Sequence, residues 1–197
     1  MKTEYLCDSC QLRKLSRLSF SSSEHSSTDF FKKFIVICGD LPSILSIGKF
    51  RYYACFVDDF CKYTWIIPLK FKSEFTNAFL AFEQYAIIQF NKQIKVFHSD
   101  GGGEFVNSKL SSHFLFTGVI HQVSYLYTPK QKGTVEQCHC VIQELGVTML
   151  FNSWAPLFLW VEAFTTVIYI IKRLPSSSIN FETLSFKLYY THLIILQ

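Results

Sequence analysis

Three short runs of β-branched and aromatic residues stand early in the chain, and they constrain the fold more than any other feature. The runs are "KFIVIC" at 33–38, "RYYACFVDD" at 51–59 and "YTWIIPL" at 63–69. Residues of these types favour strands, and the brief connection between the second and third runs favours antiparallel neighbours. The sequence therefore predicts a three-stranded antiparallel meander at the start of the folded region.

Helices and strands alternate after the meander. Ser73 is a candidate N-cap for an apolar helical stripe that runs to about Phe90. A loop, "LYTPKQKGT", precedes a helix that we expect to begin after Gly133. The other predicted elements are a strand at 94–97, a helix at 108–116, a strand at 119–125 and a helix at 156–171. This order predicts an α/β sandwich with a mixed sheet.

The composition and the N-terminal sequence argue against a secreted or membrane-spanning protein. A chain of 197 residues with 49% hydrophobic residues can bury one sizeable core, and its net charge of +4 suits a polyanionic partner. The polar, basic N-terminus argues against secretion, so the seven cysteines are expected to be reduced. The apolar stretch at 156–171 contains Glu162, and we interpret it as a buried helix rather than a membrane span.

The stretch "VFHSDGGGEF" at 96–105 is the first candidate site. A predicted strand ends before Asp100, and three glycines follow. Glu136, inside a predicted helix, is separated from Asp100 by 35 residues. A carboxylate at a strand end that faces a helical carboxylate is typical of sites for hard divalent cations such as Mg²⁺. The same stretch is also typical of an ordinary turn.

Several longer motifs resemble those of a known family. The integrase region of copia-type long-terminal-repeat retrotransposon Gag-Pol polyproteins has similar motifs in the same order, and the match covers nearly the whole chain. The matching segments are "FRYYACFVDDFCKYTW", "KVFHSDGGGEF", "GVIHQVSYLYTPKQKGTVE", "VTMLF", "FLWVEAFTT" and "RLPSSS". The resemblance implies a ribonuclease H-like fold of the retroviral integrase superfamily, a mixed five-stranded sheet flanked by helices.

The resemblance also implies a function. Such cores are polynucleotidyl transferases that join the 3′ ends of element DNA to target DNA, with two Asp and one Glu binding two Mg²⁺ or Mn²⁺ ions. Asp100 and Glu136 match the second and third acids at the family's spacing of 35 residues. The glycines after Asp100 would let the backbone approach DNA. The implied partners are DNA and a second copy of the chain, in the nucleus or a cytoplasmic virus-like particle, with no membrane association.

The first acid of the family does not occur in this sequence. When "VICGDLP" is aligned on Gly39 and Pro42, Val36 stands at the position of that Asp. Valine offers no oxygen ligand, so we expect this copy to be an inactive enzyme. Asp40 could substitute only by a shift of about 13 Å along the strand. Asp58 and Asp59 are the other candidates from spacing alone, although the resemblance implies that this pair is structural.

Two further departures affect binding. The family follows its Glu with a basic run that contacts DNA, whereas this chain has Gln137, Cys138, His139 and Cys140 in turn. Lys130 and Lys132 remain in the preceding loop, where they either contact phosphates or are merely solvated.

Cys7 and Cys10 have the C-x-x-C spacing of a zinc site. By resemblance they match the integrase N-terminal zinc module, whose two histidines would lie before Met1. His25 falls in a Ser-rich stretch, so we expect an incomplete zinc pair and no bound Zn²⁺. The expected organisation is a zinc-module remnant and linker at 1–30, a catalytic core at 31–153, and a truncated helical C-terminal extension at 154–197.

Three hypotheses therefore remain open. The first is an integrase core that lacks strand transfer. The second is a remnant that binds nucleic acid or dimerises without catalysis. The third is a genomic fossil that barely folds, which is suggested by the low charged fraction of 17% and the apolar C-terminal stretch "YYTHLIILQ".

Overall fold

The structure is a computed structural model that describes residues 27, 29–40, 44–123, 129–176 and 182–195. Within these ranges the side chains of residues 129–136, 176 and 190–195 are not described. Cys7, Cys10 and nearly all of the Ser-rich stretch lie outside the described residues, so the predictions about a zinc pair and a linker stay predictions.

A five-stranded mixed sheet forms the centre of the fold. Its strands are β1 (Lys33–Asp40), β2 (Tyr52–Asp58), β3 (Thr64–Leu69), β4 (Val96–Ser99) and β5 (Ile120–Val123). Their order across the sheet is β3-β2-β1-β4-β5. The first three strands pair antiparallel, as the sequence predicts, and β4 and β5 are parallel to β1 and β4 respectively. The parallel pairs need crossover connections, which the helices provide.

Helices cover both faces of the sheet. They are α1 (Phe75–Phe90), α2 (Ser108–Thr117), α3 (Pro129–Asn152), α4 (Trp160–Ile171) and α5 (Leu184–Ile195), and a short hairpin of β6 (Pro175–Ser176) and β7 (Glu182–Thr183) precedes α5. One apolar core, rich in phenylalanine, lies between the sheet and α1, α2 and α5. A second core lies between the opposite face and α3 and α4. The mixed five-stranded sheet with helices on both faces confirms the predicted fold class.

Three helix starts differ from the sequence prediction. The helix predicted at 156–171 begins at Trp160, because a 3₁₀ turn at Leu157–Leu159 precedes it. Ser73 does not cap α1, because a 3₁₀ turn at Lys72–Glu74 precedes the helix. In this turn the Glu74 carboxylate accepts a hydrogen bond from the Lys70 backbone N–H at 2.8 Å. The helix predicted to begin after Gly133 begins at Pro129 instead. Proline is tolerated there because the N–H groups of a first turn have no partner within the helix.

The apolar helix near the C-terminal end packs against the sheet. Helix α4 buries Trp160, Ala163, Phe164, Val167 and Ile168 in the second core, which explains its apolar sequence. Within the described ranges no helix combines the length and the apolar character needed to cross a bilayer.

Candidate metal centre

Asp100 lies at the carboxyl end of β4, where a tight turn presents its side chain to solvent. The Gly102 N–H donates to Oδ1 of Asp100 at 3.1 Å, and the Gly101 N–H donates to Oγ of Ser99 at 3.4 Å. Gly101 has a φ of +79°, and a Cβ there would approach the Val123 side chain at 2.7 Å. The first glycine is therefore required by backbone conformation and close packing.

The strand end before Asp100 is fixed by the neighbouring strand. Ser99 is buried, and its Oγ lies 2.8 Å from Nε2 of His121 on β5. The His121 ring packs edge-on against Phe97 and Phe114. These contacts hold the His121 ring against the apolar core.

Val36 occupies a buried position beside this turn. Residue 35 of β1 pairs with residue 98 of β4, so the parallel register brings Val36 level with Ser99, immediately before Asp100. The Val36 side chain is 0% exposed and belongs to the phenylalanine-rich core. No oxygen ligand is available at this position of β1, because the side chain is a hydrocarbon in apolar surroundings.

A partly buried thiol, that of Cys38, lies on β1 close to Val36. Cys38 is two residues beyond Val36 and therefore on the same face of β1. Burial and the negative charges of Glu104, Asp100 and Asp40 together raise the pKa of the Cys38 thiol to about 12, although Lys72 opposes this shift. The thiol is thus protonated at neutral pH and is a poor metal ligand.

Glu104 is the acid that sequence reasoning overlooked, although it stands in the same glycine-rich stretch as Asp100. Its carboxylate is largely buried, and Oε1 lies 3.7 Å from the ammonium of Lys72. Because a Cβ on Gly102 would come within 2.8 Å of Glu104 Oε2, this glycine makes room for the ion pair. Glu104 therefore stabilises the loop that follows Asp100.

Helix α3 contains Glu136 and crosses the end of β1. His139, three residues after Glu136, stacks on Tyr53 with ring centroids 5.6 Å apart, and Gln143 Nε2 donates to the Asp40 carbonyl at 3.3 Å. Positions 139 and 143 are four residues apart, so they share the helix face nearest to β1. The side chain of Glu136 lies outside the described residues, and its pairing with Asp100 stays a prediction.

The two lysines predicted to lie in a loop are helical. Lys130 and Lys132 belong to the first turn of α3, so the loop prediction was wrong for both. Positions two apart on a helix are about 200° apart around its axis, and one surface cannot present both. Their side chains are outside the described residues.

Asp58 and Asp59 lie away from the candidate centre. Asp58 pairs with Phe34 at the opposite end of β1 and is 0% exposed. Its carboxylate accepts three backbone hydrogen bonds, from Phe31 at 2.7 Å, Cys61 at 2.8 Å and Phe60 at 3.1 Å. Burial raises the pKa of Asp58, although these N–H donors oppose that shift. Asp58 therefore organises the β2–β3 turn.

Asp59 also binds the surrounding chain. Its carboxylate accepts a hydrogen bond from the Ser27 N–H at 3.0 Å and contacts the Lys62 ammonium at 2.9 Å. Both acids are structural here, as the resemblance implies.

Known proteins similar to this chain come from plant retrotransposons. The chain is 37% identical over 187 residues to the Retrovirus-related Pol polyprotein from transposon RE1 of Arabidopsis thaliana, and 36% identical over 181 residues to that from transposon RE2 of the same plant. These alignments cover 94% and 90% of the chain. The chain is therefore homologous to a segment of these retrotransposon Pol polyproteins, and we call it the Pol segment. It spans only 12% of the length of each of these two relatives.

A tobacco relative of this Pol segment is more distant. The Retrovirus-related Pol polyprotein from transposon TNT 1-94 of Nicotiana tabacum is 30% identical over 177 residues, which is 89% of the chain and 13% of that polyprotein. No family model matches the sequence.

The fold of the Pol segment is similar to that of a chain in a retroviral intasome. A chain in the cryo-EM structure of the simian T-cell lymphotropic virus intasome, solved in complex with PP2A regulatory subunit B56 gamma, superposes with a TM-score of 0.61 at 15% identity. The superposition covers 78% of this chain and 52% of the other. It confirms the ribonuclease H-like architecture implied by the sequence resemblance.

The described residues of the Pol segment do not fit a two-metal centre. Among the side chains that the structure describes, no three of His, Cys, Asp or Glu converge where they could hold a cation. Asp100 is available, but Val36 supplies no bridging carboxylate and Glu104 is engaged by Lys72. The disagreement with the family pattern therefore lies at the position of the first acid.

Of the four residues after Glu136, the middle two pack against the sheet and the outer two are exposed. Cys138 packs against the second core, with its Sγ 3.6 Å from Thr64 Oγ1, whereas Cys140 is exposed. The two cysteines thus occupy different environments, which agrees with their expected separation around the helix. Gln137 and Cys140 face solvent without positive charge.

Gly39 sets how closely α3 approaches β1 in the Pol segment. A Cβ at this position would lie 2.5 Å from both the Tyr53 hydroxyl and Nε2 of His139. We expect Gly39→Ala to lower the free energy of unfolding by about 1–3 kcal/mol, because two packed rings would have to move. Gly103→Ala is the matched control, since nothing lies within 4 Å of a Cβ there. Urea denaturation measures both, and equal midpoints for the two variants would contradict the close packing of α3.

Proposed function

We propose that this chain is the integrase catalytic-core segment of a copia-type Pol polyprotein and that its present sequence does not catalyse DNA strand transfer. The observation that carries this proposal is Val36, a fully buried hydrocarbon level with the end of β4, where the resemblance implies the first catalytic Asp. Asp100 is exposed at the carboxyl end of β4. One acid without a bridging partner is a weak site for a pair of divalent cations.

The resemblance implies what the site would do in an active relative. Two Mg²⁺ or Mn²⁺ ions would activate the attacking oxygen and stabilise the leaving oxygen during strand transfer. In this chain the turn at Asp100 and the ion pair of Glu104 with Lys72 form part of the candidate site. They do not supply the missing first acid. We therefore assign these residues to the remaining framework of the site and derive no catalytic step from them.

A strand-transfer assay tests the proposal. The substrate is a labelled duplex with an element-end sequence, incubated with target DNA and either Mg²⁺ or Mn²⁺, and an active copia-type integrase core serves as the positive control. We expect no joined product from this chain. Product formation that requires the metal would contradict the assignment of Val36 and direct attention to Asp40.

A second candidate function is nucleic-acid binding without catalysis. The net charge of +4 favours it, together with Lys130 and Lys132 at the start of α3. The loss of basic residues after Glu136 leaves few cations on this helix. Binding would therefore be weak, sequence-independent and sensitive to salt.

The two lysines make a specific prediction about that sensitivity. Because positions 130 and 132 are about 200° apart around α3, we expect only one of them to contact a phosphate. Either Lys130→Gln or Lys132→Gln should reduce the slope of log K against log salt by about 0.9, and the other should leave it unchanged. Fluorescence anisotropy with a labelled duplex measures the slopes.

The matched control is Lys92→Gln, since Lys92 already pairs with Asp29 at 2.7 Å. An equal reduction of the slope by all three variants would mean that DNA binding depends on the net charge of the protein and not on particular lysines. An unchanged slope in both α3 variants would place the DNA surface elsewhere on the molecule.

We propose further that the chain forms a homodimer and acts in the nucleus or in a cytoplasmic virus-like particle, as the family resemblance implies. Sedimentation equilibrium of the purified chain tests the dimer, and a monomer at all accessible concentrations would contradict it. The same preparation tests the fossil hypothesis, because a chain that does not fold would aggregate and show no cooperative thermal transition.

A further inference from the structure

An open cavity of about 540 Å³ lies along β3, on the side of the sheet away from Asp100. Its walls come from the edge strand and from α1 and α4, which flank the strand on opposite faces. The strand order places β3 two strands from β1, so the cavity is separate from the candidate metal centre. We call it the β3 cavity.

Aromatic rings form one wall of the β3 cavity. Tyr63, immediately before β3, and Trp65 on β3 have ring centroids 4.5 Å apart, and Tyr85 of α1 lies beside them. Tyr169 of α4 lines the opposite side and is 57% exposed. Flat apolar surfaces of this kind stack on aromatic ligands, and nucleobases are the aromatic groups that proteins most often bind in this way.

Two adjacent cations also line the β3 cavity, beside these rings. The Lys172 ammonium lies 4.1 Å from the centroid of the Tyr63 ring and 5.8 Å from that of Trp65. The Arg173 guanidinium stacks on Tyr169 at 3.5 Å, and one of its N–H groups donates to the Tyr169 carbonyl at 3.1 Å. The other guanidinium N–H groups remain available to a ligand, because this contact uses only one of the five.

The positive charge of the cavity is not balanced by protein groups that the structure describes. None of the described cavity residues is acidic, and within the described ranges neither Lys172 nor Arg173 has an ion pair. Burial and the neighbouring Arg173 lower the pKa of Lys172 to about 8. The rings offset part of the cost of burying the ammonium but add no negative charge.

From this arrangement we infer that the β3 cavity binds a nucleotide, with its base against Trp65 and Tyr85 and its phosphate between Lys172 and Arg173. The volume falls within the range of small-molecule sites and far exceeds what an inorganic phosphate needs. The nucleotide is either a free mononucleotide or an unpaired nucleotide of a single strand, which share the same base and phosphate chemistry. The site does not rest on the proposed metal centre.

Isothermal titration calorimetry tests the inference with adenosine monophosphate, adenosine, inorganic phosphate and an oligo-deoxyadenylate of six nucleotides, all without divalent cations. We expect adenosine monophosphate to bind at least tenfold more tightly than adenosine or phosphate. Tighter binding of the oligonucleotide would identify a single strand as the source, and weaker binding a free nucleotide. Equal affinity for adenosine and its monophosphate would overturn the assigned role of the two cations.

Matched variants connect the binding to the cavity. Lys172→Gln should weaken adenosine monophosphate binding at least tenfold, Lys172→Arg should change it less than threefold, and Lys70→Gln, an exposed lysine just beyond β3, should leave it unchanged. If Lys172→Gln does not fold, Thr165→Trp provides a second test, since it fills the cavity from α4 without removing charge. Unchanged binding in Thr165→Trp would overturn the inference.

Two controls separate this inference from its rivals. Asp100→Asn should bind adenosine monophosphate as the wild type does, so that failure of the metal-centre proposal leaves the result intact. Sedimentation with and without nucleotide detects a second copy in the cavity. A dimer that Lys172→Gln dissociates, with no nucleotide binding, would assign the cavity to the partner chain and overturn the inference.

Discussion

Replacing Val36 with aspartate is expected to lower the free energy of unfolding by about 3–5 kcal/mol in metal-free buffer. The position is fully buried within the phenylalanine-rich core, so the new carboxylate would lose its hydration without gaining a counter-charge. Urea denaturation in the presence of a chelator measures this loss.

Divalent metal should reverse much of that loss if Asp100 completes a site with the new carboxylate. A cation that binds only the native state stabilises it by about 2.7 kcal/mol at a concentration one hundred times its dissociation constant. We therefore expect Mn²⁺ to raise the urea midpoint of Val36→Asp. The wild type should not respond, because valine offers no ligand. Val36→Asn should not respond either, because its amide is uncharged and binds Mn²⁺ poorly. The same response in all three chains would mean that the metal binds elsewhere.

Replacing Asp58 with alanine is expected to be the most destabilising change away from the candidate centre, lowering the free energy of unfolding by at least about 3 kcal/mol. The substitution leaves the backbone N–H groups of Phe31, Phe60 and Cys61 without their acceptor. Each buried, unsatisfied donor carries a desolvation cost, and the β2–β3 turn would lose its organising group.

Asp29→Asn is the matched control for this experiment. Asp29 accepts hydrogen bonds from the Phe30 N–H and the Lys92 ammonium, but its side chain is half exposed, so the loss should stay below about 1 kcal/mol. The loss in free energy of unfolding for Asp58→Asn should lie between the other two, since its amide oxygen can still accept some of the backbone hydrogen bonds. Thermal and urea denaturation of the three variants give the ranking, and similar losses for Asp29→Asn and Asp58→Ala would contradict the structural role of Asp58.

The sequence predicted the sheet well because local signals and tertiary packing agree there. Strands β1, β2 and β3 coincide with their apolar runs to within two residues. Strand β4 is displaced from 94–97 to Val96–Ser99, because a short apolar run does not fix its own register. The start of α3 was missed because "TPKQKG" combines proline and glycine, which usually mark a loop.

The candidate centre was only partly predictable. Spacing and resemblance identified Asp100 and Val36, but not that Val36 would be wholly buried, since that depends on which face of β1 meets α1. Glu104 was overlooked because its importance comes from Lys72, far away in the sequence. The β3 cavity was unpredictable for the same reason, since Tyr63 and Lys172 meet only in the folded chain.

The most direct test of the central claim is a strand-transfer assay that compares the wild type, Val36→Asp, and Val36→Asp combined with Glu136→Gln, in Mg²⁺ and in Mn²⁺. If the chain keeps an integrase framework and lacks only its first acid, joined product should form with Val36→Asp alone. The double variant should be inactive, because it removes the third acid. Product from the wild type, or equal product from the two variants, would contradict the claim that Val36 marks the missing ligand and that Glu136 completes the site.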